Sequence, residues 1–281
     1  MALSAFPYVG GKTRLVDWVT DHLPNHTTYV EPFGGSAAVL LNKPRSAIEV
    51  YNDLDRDIVQ FFEIARDRPD DLLAWVRRTP FSEELHAEYV EAFYNGERPE
   101  DPVARAGRFL FLRYSQFGGK YDTPSGFKRD TIATLSSEAS AWANVPEHIE
   151  ATCERLQGVS IQHNSFEALI ERYDSPSTVF YCDPPYLDKE STYRVDGFEH
   201  ADLAAALTDI EGYALVSYTD RPQDLYTDWD EVTREYNHDS GKDDGRTKEV
   251  TERLLCNFDP EYAPTFVDAS QQTLTEVSPD A

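Results

Sequence analysis

The sequence predicts an α/β fold: an open sheet of nucleotide-binding type, built from two stretches of chain with a mainly helical segment inserted between them. Three observations carry this. Near the N-terminus, two short apolar runs flank a glycine turn, and the second run ends on an acid. A long middle stretch then changes to apolar spacing of three and four residues. Strand-like runs return after it, and one stops abruptly at a proline pair.

The opening "PYVGGKTRL" (7–15) resembles the tail of a phosphate loop. That loop needs a glycine where Phe6 stands, and a buried strand before it that the few upstream residues cannot supply. What remains is a glycine turn, Gly10-Gly11, before a helix starting near Lys12. "TTYVEPF" (27–33) reads as a buried strand, and "GGSAAVLLNKP" as a glycine turn and a small-residue helix stopped at Pro44. "SAIEVYND" (46–53) is a second strand ending in Asp53, about 20 residues after the turn, as a nucleotide-binding half requires.

Between about 55 and 152 the stretches "DIVQFFEIARD", "PDDLLAWVRR", "SEELHAEYVEAFYN" and "DPVARAGRFLFLRYS" read as helices, separated by Pro69, Pro80, Asn95-Gly96 and Pro99. Asp55 and Asp57 are expected as solvated charges at a helix start. Strands follow at 159–166 and 177–186, a helix at 199–211 and a strand at 213–219. "EVTREYN" and "VTERLLCNFD" read as two final strands. The expected organisation is therefore a discontinuous sheet domain (1–56 and 153–262), a helical domain (57–152) and a loose acidic tail (263–281).

Composition narrows the function. The net charge is −25, from 51 acidic and 26 basic residues, which argues against general affinity for phosphate backbones. It suits a halophilic source, since at 1 M salt the Debye length is about 3 Å and self-repulsion is screened. Cys153, Cys182 and Cys256 are few, odd in number and far apart, as reduced thiols of a cytoplasmic protein are. No secretory or membrane-spanning apolar run is evident, so no membrane association is expected. No metal is expected either. "NDLDRD" lacks the glycine and glutamate of a calcium loop, and Pro24 spoils the helical pairing of His22 with His26.

The most informative motif is Asp183-Pro184-Pro185-Tyr186, directly after the apolar "TVFYC". The prolines end the strand and restrict the backbone, holding a carboxylate, a carbonyl and an aromatic ring together where α/β sheets bind ligands. That trio suits methylation of an exocyclic nucleobase amine. Asp183 and the Pro184 carbonyl would accept the two amine protons and free the nitrogen lone pair, while Tyr186 stacks on the flipped base.

The glycine-lysine opening, "VEPFGGSAAV", "VYND" and "YCDPPY", in this order, resemble the Dam-like DNA adenine-N6 methyltransferases. The likeness runs from about residue 6 to 258 and includes "NSFEALI", "VSYTD" and "GRTKEVTERLLCNF". It implies a Rossmann-like class I methyltransferase sheet, S-adenosyl-L-methionine (AdoMet) as donor, double-stranded DNA as partner, and an inserted target-recognition domain. Carried over, it places Tyr8, Gly10, Gly11 and Lys12 at the donor, with Lys12 approaching the methionine carboxylate. Glu31, Pro32, Phe33, Gly34, Gly35 and Ser36 form the donor turn, Asp53 takes the ribose hydroxyls, Ser165 and Phe166 border the adenine, and Asp183 is catalytic and near the donor. A cytosine-N4 enzyme and an inactive donor-binding regulator stay open as alternatives; a monomer is expected.

Residues 105–129 hold six bases and one acid and interleave aromatics with glycines. They mark a DNA-contacting stretch, with Arg113, Tyr114, Lys120, Tyr121, Lys128 and Arg129 as contacts. The polar loop "SGKDDGRTK" (240–248) is a second candidate. Relatives that methylate GATC carry a longer hairpin here; only nine residues separate Tyr114 from Pro124, which puts GATC in doubt.

Overall fold

The structure, a computed structural model, describes residues 2–8, 10–117, 123–130, 137–187, 198–239 and 247–261. Its centre is one sheet of seven strands: β1 (Thr28–Glu31), β2 (Ile48–Asn52), β3 (Val159–Gln162), β4 (Thr178–Cys182), β5 (Tyr213–Tyr218), β6 (Asp230–Asp239) and β7 (Thr247–Cys256). They lie in the order β3-β2-β1-β4-β5-β7-β6. The strands β1 to β5 pair in parallel, whereas β7 runs antiparallel to both its neighbours. The chain winds outward from β1 to β3 and then crosses back to β4 on the other side. The carboxyl ends of β1 and β4 therefore border the point where strand order reverses, the place such sheets leave a crevice.

Both central strands are buried along their whole length, which explains their nearly unbroken apolar runs. Alternate residues serve two cores. Tyr29, Tyr51, Val179, Tyr181 and Leu254 face one side, and Val30, Val50, Phe180, Cys182 and Leu255 the other. The second core is covered by α8 (Phe166–Tyr173) and α9 (His200–Thr208).

Helices α3 (Arg56–Asp67), α4 (Pro69–Arg78), α5 (Glu83–Tyr94), α6 (Pro102–Ser115) and α7 (Glu138–Arg155) all lie between β2 and β3. Their core continues that of the sheet: the cluster holding Tyr51 also holds Phe61, Phe62, Phe109, Phe111 and Trp142. Helix α7 has no counterpart among the expected elements because Pro146 sits inside it. The run expected as a strand over 159–166 ends at Gln162, where Ser165 caps α8 through its hydroxyl. Near Lys12 the chain makes a short 3-10 turn (Lys12–Arg14) before helix α1 (Val16–Asp21). Helix α2 (Ala38–Asn42) follows the glycine turn. No described helix is long and apolar enough to cross a membrane. The acidic tail lies outside the described residues.

The helix start at 55–57 departs from expectation. Asp55 caps α3 by accepting from the amides of Asp57 and Ile58. Asp57 is not solvated: it is 7% exposed and held by Arg98 and Arg105 at 2.6 and 2.7 Å. Burial alone would raise its pKa, but hydrogen bonds from the two guanidinium groups hold it below the usual carboxylate value. The pair ties α3 to α6 and to the segment before α6. Asp57→Asn is expected to lower unfolding stability by about 2 kcal/mol at neutral pH. For a depressed carboxylate this contribution is full above about pH 4. It is lost as pH falls through the folded value, so the gap between the denaturant curves of wild type and variant should narrow steadily as pH drops below about 4.

Candidate active site

Beyond β1 the chain turns through Glu31-Pro32-Phe33-Gly34-Gly35-Ser36 into α2, and side-chain volume explains the glycines. A Cβ on Gly34 would sit 2.1 Å from the Tyr51 ring, so only glycine fits under that ring. Gly35 takes φ +48, a left-handed conformation, and a Cβ there would come 3.0 Å from Tyr8. The Tyr51 hydroxyl donates to the Gly35 carbonyl at 2.7 Å. Asp53 accepts from the amides of Gly35 and Asp55, each at 2.8 Å. Asn52 joins three segments, donating to the carbonyls of Pro32 and Asn164 and accepting from the Asn164 amide.

These turns line a cleft at the carboxyl ends of β1, β2 and β4. Of the expected donor residues it brings together Tyr8, Gly10, Gly11, Lys12, Glu31, Pro32, Phe33, Gly34, Gly35, Ser36, Asp53 and Asp183, with Pro185 beside them. Ser165 and Phe166 are not in its lining. The Phe166 ring instead backs Phe33 and Phe198, at 5.7 and 5.9 Å, and those two rings do line it. Phe198, Tyr181 and Leu54 are lining residues that sequence reasoning did not select. Pro184 and Tyr186 are buried outside the lining.

The floor of the cleft is a buried charge cluster. Lys12, 4% exposed, places its Nζ 2.6 Å from Asp183 Oδ1 and 3.5 Å from Glu252 Oε1, and donates to the Tyr186 hydroxyl. The hydroxyls of Tyr186 and Ser217 donate to Glu252 Oε1 at 2.6 and 2.8 Å. Burial would strip the Lys12 proton, but Asp183 and Glu252 hold its pKa above the usual lysine value. Burial also pushes the Asp183 carboxyl up to about 6, against the pull of Lys12 and with a further push from Glu252. Asp53 is raised by burial to about 6, despite the Asp55 and Gly35 amides. Glu31 is raised by burial to about 8, although it accepts from the Tyr29 hydroxyl and the Leu40 amide. At neutral pH Glu31 is therefore mainly protonated, while Asp53 and Asp183 are mainly ionised.

Glu252 escaped the sequence reading, yet it left a signal. Two residues before the inward Leu254 on β7, period-2 alternation puts an acid on the buried face. An acid there demands a cationic partner.

The residues expected to touch DNA divide. Arg113 is 1% exposed, its guanidinium 5.3 Å from the Phe109 ring centre, so in this conformation it lies inside the helices and not on a surface. Tyr114 is half-buried against Trp142. Lys128 pairs with Glu138 at 2.7 Å, and the exposed Arg129 with Glu83. Lys120, Tyr121 and most of the 240–248 loop lie outside the described residues. A bridge between Gln116 and Phe127 closes the base of this basic segment and leaves Phe117 63% exposed. Among the described residues, no three His, Cys, Asp or Glu side chains form a metal site.

The family model described as D12 class N6 adenine-specific DNA methyltransferase matches residues 8–237. A DNA adenine methylase of Salmonella typhimurium is 28% identical over 280 residues, covering 91% of this chain and 95% of the relative. One from Vibrio cholerae serotype O1 is 29% identical, covering 72% and 73% respectively. One from Escherichia coli K12 is 29% identical, covering 66% and 65%. With the matched residues spanning β1 to β5, the glycine turn after β1 and Asp183-Pro184-Pro185-Tyr186, the chain belongs to the D12 class of N6 adenine-specific DNA methyltransferases.

Proposed function

We propose that this enzyme transfers a methyl group from AdoMet to N6 of an adenine turned out of double-stranded DNA, with Asp183 receiving the amine. The observation that carries this reading is the Asp183 carboxylate, held at the end of β4 by a buried lysine on the floor of the cleft. The lining suits the donor. Asp53 ends β2 as an acceptor for hydroxyl groups, Phe33 and Phe198 offer apolar faces to a flat ring, and ionised Asp53 and Asp183 favour a cationic ligand. Bound there, AdoMet supplies an electrophilic methyl group.

The chain's own part is to make the amine nucleophilic. Asp183 and the Pro184 carbonyl accept its two N–H groups and free the lone pair. The nitrogen becomes acidic once alkylated, so Asp183 needs only modest basicity to take the released proton. Lys12 reaches a donor carboxylate only by sharing the ammonium already bound to Asp183, so its first task is to keep Asp183 charged. Tyr186, anchored through its hydroxyl to Lys12 and Glu252, sets the edge of the base site.

The helices at 57–152 and the basic segment closed by Gln116 and Phe127 are the proposed target-recognition part, with Lys128 and Arg129 on its surface. GATC is the context the resemblance suggests, and the short span from Tyr114 to Pro124 is where this chain departs from it. An inactive regulator has no chemical need for the paired Lys12 and Asp183. The reading places the protein in the cytoplasm, with DNA and donor.

Three outcomes are expected of methyl-transfer kinetics in molar salt. Asp183→Ala should lower turnover a hundredfold or more, on the order of losing a preorganised transition-state contact, and retain the fold because Glu252 still neutralises Lys12. Substantial residual turnover would remove Asp183 from the chemistry. Wild-type turnover should fall as pH drops through about 6, where Asp183 takes a proton. In Lys12→Met that limb should move to higher pH, because the cation that opposes protonation is gone. An unmoved limb would mean Lys12 does not act on Asp183.

A further inference from the structure

Behind the cleft lining lies one charge that the reaction above leaves unused. Glu252 is fully buried on β7, with Oε1 accepting from Tyr186 and Ser217 and lying 3.5 Å from Lys12. Its other oxygen, Oε2, is buried and has no hydrogen-bond partner among the described residues. A buried carboxylate with an unsatisfied oxygen is costly, and a chain retains one where its charge has a task.

That task follows from counting charges. Lys12 and Asp183 alone cancel, and a neutral pair has little to offer an amine that becomes cationic as it attacks. With Glu252 the cluster holds two carboxylates and one ammonium, leaving one net negative charge. Resting on the reading of Asp183 as the amine acceptor, we propose that Glu252 is a positioning residue for methyl transfer: its buried carboxylate compensates Lys12, so that Asp183 meets the amine as an uncompensated anion. Glu31, Tyr181, Cys182, Tyr218, Tyr236 and Arg14 also act on this cluster. Glu31 is the carboxylate among them, and burial holds it mainly protonated, so it does not replace Glu252.

Glu252→Gln tests this, because the amide keeps an acceptor for Tyr186 and Ser217 but loses the charge. Turnover is expected to fall about tenfold or more, with donor Kd within about twofold of wild type. The acid limb of turnover is expected to move down by about half a pH unit or more, since the anion that pushes Asp183 upward is gone. A loss of turnover with the limb unmoved would be a packing defect and would overturn the proposal, as would wild-type turnover. Direct 13C titration of the Asp183 carboxyl in wild type and Glu252→Gln gives the same shift without turnover. A wild type that transfers no methyl to adenine, yet shows the titration shift, would sink the functional reading and leave the coupling standing. If Glu252→Gln does not fold, Glu252→Asp keeps the charge but draws it back from Lys12. Because the charge is kept, turnover and acid limb near those of wild type are expected there, and turnover lost with the limb unmoved would mark a packing role and overturn the proposal.

Discussion

A protonated lysine buried between two carboxylates is the contact on which the rest of the cleft depends. Lys12 comes from the opening turn, Asp183 from the end of β4 and Glu252 from β7, so one ammonium pins three distant stretches of chain to one point. Removed from water, a lone lysine would discharge and a lone aspartate would take up a proton. Together each keeps the other ionised. The same ion pair therefore does structural and chemical duty: it closes the N-terminal segment over the sheet and keeps Asp183 anionic near neutral pH.

Strand order places that point. With β1 and β4 adjacent and the chain leaving them in opposite directions, their carboxyl ends open into one crevice. Glycine geometry then shapes the wall. Gly34 lies under the Tyr51 ring and Gly35 is left-handed, so the turn lies flat enough for its amide to bind Asp53. The chain's scarce bases are turned inward in the same way. Lys12, Lys43 and Arg113 are buried, and Lys43 and Arg155 both pair with Glu49. Buried acids accompany them, Glu31, Glu49, Asp57 and Glu252 among them, so the interior charges nearly balance.

Much of this was legible in the residues, for physical reasons. Buried parallel strands write themselves as unbroken apolar runs, and turns that need glycine or proline display it, so β1, β2, β4, the glycine turn after β1 and the place of Asp183 at the end of β4 could be read directly. What escaped depends on contacts far apart in sequence. Asp57 looked like a solvated helix-start charge because Arg98 and Arg105, its partners, lie some 40 residues on. Arg113 looked like a DNA contact because a basic, aromatic-rich stretch gives no sign of which side chains turn inward. Helix α7 was hidden by Pro146, and Glu252 by an alternation that becomes informative only once β7 is known to lie beside β5.

The central claim is that this cleft uses a lysine-held carboxylate to methylate an exocyclic amine of adenine. Its most direct test is to incubate the protein with methyl-labelled AdoMet and unmethylated DNA in molar salt, digest the DNA, and identify the labelled nucleoside and its flanking sequence. N6-methyladenine within one short recognition sequence is the predicted product. Label in N4-methylcytosine, or bound donor with no label in DNA, would contradict it.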